Sequence, residues 1–128
     1  MESATHDKAT INRAKLDELR AFPARADRPS LLVRMIGLFR QEAEELLDRL
    51  RRAVDSDDAA EVREAAHKFK SVAGNVGAEA LAEMCAHLEM LGLERRMAGA
   101  ADLLAQVRDE HRRVTEALAV EAPHTSTP

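Results

Sequence analysis

His67 is the residue in this sequence best placed to do chemistry, and its neighbours matter as much as the imidazole itself. Around it, Val62, Ala66, Phe69, Ala73 and Val76 recur at intervals of three and four, which predicts one apolar stripe of a helix. At about 100° per residue these five fall within about 80° of one another, and His67 falls roughly 140° from their middle. The imidazole is therefore expected to face solvent. Ala60, Arg63, Lys70, Ser71, Gly74 and Ala78 share its side of the helix. Four of these seven positions, His67 included, hold Ala, Ser or Gly, where a merely solvated face more often carries long charged residues. Gly74 inside a helix costs about 1 kcal/mol relative to Ala. Close approach of another protein's backbone is one reason to accept that cost.

A neutral imidazole is a nucleophile that can attack phosphorus and form a phosphoramidate. Lys70, one turn along, is suited to offset the phosphoryl charge and orient its oxygens, and Arg63 and Lys68 stand near. The other histidines look less eventful. His111 is expected to be a half-buried packing residue and His87 to lie at a helix boundary, while His6 and His124 fall in the tails. Met35, Met84, Met90 and Met97 read as core filler and loop contacts.

The elements that must hold this face read as one short and four long helical patterns. The first, about 11–21, sets Ile11, Leu16, Leu19 and Phe22 on a stripe and stops at Pro23. The second runs from about Pro29 to Val54 through Leu32, Met35, Phe39, Ala43, Leu46 and Leu50. The third opens on Asp58-Ala-Ala-Glu61, a capping-box sequence, and ends at Gly77 in a left-handed turn. The fourth, about 78–92, carries Leu81, Met84, Cys85, Leu88 and Leu91 before Gly92; the fifth, about 98–120, carries Leu104, Val107, His111, Val114 and Leu118. Short connections make consecutive helices antiparallel. The expected fold is all-α: an up-and-down antiparallel four-helix bundle over 11–120 with a short additional N-terminal helix as a lid. Residues 1–10 are expected to be flexible and 121–128 to form a disordered tail.

Composition agrees with helices and narrows function. In 128 residues there are three Phe and neither Trp nor Tyr, so bases would find little on which to stack. A net charge of −4 leaves no basic excess for nucleic acid. One cysteine, Cys85, rules out an internal disulfide and a cysteine-based zinc site. No apolar run approaches a membrane span, and residues 1–20 are too polar for a signal peptide, so a cytoplasmic protein is expected.

The run Ala66-His67-Lys68-Phe69-Lys70-Ser71-Val72-Ala73-Gly74-Asn75-Val76-Gly77-Ala78 resembles the motif of the histidine-containing phosphotransfer (HPt) domain family. In that motif Ala-His is followed by an apolar residue, Lys, a small residue and then Asn-Leu-Gly-Ala. Leu81, Cys85 and Leu88-Glu89 resemble the family's next helix, and Leu38-Phe39 through Leu46, Leu47 and Leu50 its preceding one, so the resemblance covers about 11–118. Ser71 departs from it, since Gly usually follows the motif lysine.

The resemblance implies a phosphorelay protein. His67 would be the phosphoacceptor, Lys70 would stabilise phosphoryl charge, and Arg63, Lys68, Ser71, Gly74 and Ala78 would meet the partner. That partner would be a receiver domain of a response regulator or of a hybrid histidine kinase, which supplies Mg²⁺ and most catalytic residues. The chain itself would be a monomeric carrier with no cofactor or metal. Nothing in it resembles an ATP-binding loop, so no kinase activity of its own is expected.

Three rival readings compete with this one. Glu64-Ala-Ala-His67 has the Glu-x-x-His spacing of a di-metal bundle site, but there is no second such pair. A histidine-kinase dimerisation hairpin commonly has Glu after the histidine and a proline soon after; here Lys68 follows and the next proline is Pro123. A helical adaptor that keeps the fold and docks a partner without phosphotransfer stays open.

Overall fold

A computed structural model describes residues 10–25 and 29–121. The flexible N-terminus and disordered tail expected from the sequence, with His6 and His124, lie almost wholly outside these residues. Five helices follow in order: α1 (Arg13–Arg20), α2 (Leu31–Asp55), α3 (Ala59–Asn75), α4 (Glu79–Glu94) and α5 (Ala100–Glu121). The fold is all-α. The four long helices form an up-and-down ring, in which α2 packs on α3, α3 on α4, α4 on α5 and α5 back on α2.

The core follows from the stripes. Phe39, Leu46, Leu50, Val62, Ala66, Phe69, Ala73, Val76, Leu81, Cys85, Leu88, Val107, Val114 and Leu118 are all buried in one cluster. Burying a Leu, Val or Phe contributes about 1.5–3 kcal/mol each, so the joint burial of these faces decides the pairing of the helices. His111 is half-buried against Phe39 and Phe69, with ring centroids at 5.9 and 6.5 Å.

Helix ends are set by local chemistry. Asn12, Ser30 and Asp58 cap α1, α2 and α3 by accepting backbone N–H bonds in the first turn. Only half of the expected capping box forms. Asp58 accepts from the Glu61 N–H, but the Glu61 carboxylate is gripped by both arms of Arg49 on α2, at 2.8 and 3.1 Å. Gly77 takes φ +75° between α3 and α4, the left-handed turn that only glycine enters without strain.

Three local expectations fail for identifiable reasons. Phe22 is 60% exposed, because α1 ends at Arg20 and the chain turns before Phe22 can join the stripe. Gly92 does not terminate α4; the helix continues to Glu94 and closes on left-handed Arg95. Gly92 is instead a contact point, since a Cβ there would lie 2.7 Å from both the Ala59 carbonyl oxygen and the Arg63 amide nitrogen. His87 sits in the middle of α4, exposed, and not at a boundary.

The short α1 closes one end of the bundle. Ile11, Leu16 and Leu19 join the core, and the Asn12 backbone N–H donates to the Gly77 carbonyl at 2.7 Å. Arg13 and Arg20 both reach the half-buried carboxylate of Glu121 at the end of α5.

Candidate functional site: an exposed histidine bridged to a lysine

α3 holds Ala66 and Phe69 in the core and thereby turns His67 outward, its side chain 63% exposed. The turn Val76-Gly77-Ala78 is short, so α4 folds back along α3 and brings Glu89 level with the histidine. Glu89 Oε2 lies 2.8 Å from His67 Nδ1, and Glu89 Oε1 lies 2.8 Å from Lys70 Nζ. One carboxylate thus bridges the two residues singled out from the sequence. Glu89 is only 21% exposed.

The electrostatics follow from that bridge. The Lys70 ammonium, with help from the His67 hydrogen bond, holds the Glu89 carboxyl below its ordinary pKa against the opposing effect of partial burial. A charged carboxylate this close requires Nδ1 to carry the proton and donate it. That fixes the tautomer and leaves the Nε2 lone pair for a reacting atom. Nε2 has no hydrogen-bond partner among the described residues. His67, Glu89, Arg63 and Glu64 line a cleft of about 270 Å³ between α3 and α4.

The remaining expected site residues divide. Arg63, Lys68, Ser71 and Gly74 are exposed on α3, and a Cβ at Gly74 would meet nothing within 4 Å. Ala78 is a correction: it is fully buried at the start of α4, because the Gly77 turn carries it off the helical face and into the core. The ammonium of Lys70 is turned to Glu89. Glu89 has no role in the sequence-based expectations, where Leu88-Glu89 only resembles the family's helix after the motif. Among the described residues, no group of three or more His, Cys, Asp or Glu gathers to hold a metal. No described helix is long and apolar enough to cross a membrane.

The sequence model of one family, the Hpt domain, matches residues 34–117, which takes in α3, α4 and most of α2 and α5. The chain belongs to the Hpt-domain family. Among solved structures, this Hpt domain is similar to histidine-containing phosphotransfer protein B (HptB) from Pseudomonas aeruginosa PAO1. The identity is 27%, the TM-score 0.79, and the match covers 93% of this chain and 96% of the other. Among curated proteins, no match was found. The family match begins after α1, so the α1 clamp on Gly77 and Glu121 lies outside the part of this Hpt domain that the family model covers.

Proposed function

We propose that this Hpt domain carries phosphoryl groups on His67 between receiver domains of two-component signalling proteins. The observation that supports it best is an exposed imidazole whose inner nitrogen is held by Glu89, leaving the outer one for phosphorus. The membership of the family and the likeness to a histidine-containing phosphotransfer protein point the same way.

The step balances simply. The Nε2 lone pair forms a bond to phosphorus as the aspartyl oxygen–phosphorus bond breaks, and that electron pair stays on the receiver's aspartate carboxylate. The ring gains positive charge, shared with the Nδ1–H that Glu89 accepts, so the carboxylate stabilises charge as it develops. The reverse sequence returns the group. Mg²⁺ and the remaining catalytic groups come from the receiver. Lys70 acts through Glu89 by holding that carboxylate in place against the ring. Arg63, Lys68, Ser71 and Gly74 face the incoming partner, and the low bulk at Ser71 and Gly74 leaves room for its backbone. The protein works as a cytoplasmic monomer, without ATP or a cofactor of its own.

The test is incubation with a phosphorylated receiver domain, followed by a search for an acid-labile, alkali-stable adduct. His67→Gln should abolish it. Full labelling of that variant would overturn the assignment, and a folded wild type that takes up no phosphoryl group would favour the adaptor reading.

A further inference from the structure

We infer that Arg63, and not Lys70, is the cation that meets the phosphoryl group on His67; this rests on the carrier function proposed above. The motif lysine attracts attention because it stands one turn from the histidine. In the structure its ammonium lies 2.8 Å from a Glu89 oxygen, and the same carboxylate's other oxygen takes the histidine. Lys70 and Glu89 therefore form a nearly neutral pair beneath the ring. A dianionic phosphoryl group on Nε2 gains little from a pair whose charges cancel.

Arg63 differs in each respect. It lies four residues before His67, so the two side chains are neighbours on one helical face. Arg63 and His67 line the same cleft. No carboxylate of a described residue pairs with Arg63, although Glu64 and Glu89 share the cleft walls. Its backbone is also fixed, because the bare Cα of Gly92 lets α4 pack against the Arg63 amide. The result is a guanidinium with no ion-pair partner among the described residues, on an anchored stem that opens onto the same cleft as the imidazole. Its planar fork matches two phosphoryl oxygens, which a lysine does not.

The test uses potassium phosphoramidate as a small donor, so that receiver docking plays no part. Nε2 forms the new bond to phosphorus, ammonia leaves with the electron pair of the old one, and the ring keeps its Nδ1 proton. Phosphohistidine is then followed by ³¹P NMR as a function of pH. A guanidinium at the phosphoryl group favours its dianion, so Arg63→Gln should raise the midpoint of the phosphoryl titration by roughly half a unit. Labelling should slow about threefold, and Arg63→Lys should restore part of both. The charge-neutral double variant K70Q/E89Q removes the ion pair as a unit and should leave the midpoint in place. A midpoint in Arg63→Gln that coincides with wild type would overturn the inference while leaving the carrier function standing. Failure of wild-type His67 to accept label from either phosphoramidate or a phosphorylated receiver would remove the carrier function, and this inference with it.

Discussion

Glu89 Oε2 and His67 Nδ1 stand 2.8 Å apart although 22 positions separate them in sequence, and the contact exists because α4 returns antiparallel to α3 after a short turn. The same carboxylate holds Lys70. The histidine is therefore aimed by a neighbouring helix and not by its own.

Glu89→Ala should slow transfer from a phosphorylated receiver by roughly tenfold or more, the range seen when the partner that orients an imidazole is lost. Glu89→Gln keeps a carbonyl oxygen for the Nδ1 proton but loses the charge, and its rate should fall between those of the wild type and Glu89→Ala. Single-turnover transfer measurements separate the two; equal loss in both would show that the charge, and not the hydrogen bond, is what matters.

Lys70→Ala should also slow transfer, but through Glu89. Losing the ammonium removes the main influence that holds the Glu89 carboxyl below its ordinary value. A carboxyl with a depressed folded-state pKa contributes stability that is present above its unfolded value and lost as pH falls through the folded one. The variant's Glu89 should thus protonate at higher pH than the wild type's, visible by carboxyl NMR. An unmoved titration would break the link between Lys70 and Glu89.

Gly92→Ala and Gly74→Ala should part company. At Gly92 the new methyl would meet Ala59 and Arg63 backbone at 2.7 Å, so α3 and α4 must separate, at about 1–3 kcal/mol. At Gly74 it meets nothing within 4 Å, and the helix should gain up to about 1 kcal/mol. Receiver-dependent transfer should nonetheless fall in Gly74→Ala, while phosphoramidate labelling stays unchanged. Urea unfolding and the two labelling assays give the three readings.

His111 predicts an acid-side loss of stability. Burial beside Phe39 and Phe69 pushes its pKa below the ordinary value, with Glu44 pulling the other way. The folded chain then binds fewer protons than the unfolded one between the two values. Its contribution is complete above about 6.5 and is lost as pH falls through the folded-state value. His111→Leu should flatten the fall of the urea midpoint over that window.

Cys85 should behave as an inert core residue. Burial pushes its thiol up to about 12, so little thiolate forms near neutral pH. Iodoacetamide should leave the native protein unmodified and add one group after unfolding in urea.

The sequence was legible where one helix explains itself. The α3 stripe, the outward His67 and the Gly77 turn all follow from spacing within a single element, and the structure places them accordingly. What escaped depends on two elements at once. Glu89 follows core residue Leu88 and looks like any flanking glutamate until the register of α4 against α3 is known. Gly92 reads as a helix stop because nothing in the α4 sequence announces how near the Arg63 backbone comes. Continuing the α3 wheel through Gly77 puts Ala78 beside His67, but the left-handed turn breaks the count.

The grip of Arg13 and Arg20 on Glu121, with Asn12 bonded to Gly77, has a practical corollary for anyone tethering this protein. Asn12 and Glu121 lie at the same end of the bundle, about 15 Å along α3 from the imidazole at the helical rise. A dye or surface linker attached next to either of these two residues starts clear of the reactive side chain. Immobilised preparations should accordingly keep the solution rate of phosphoryl uptake.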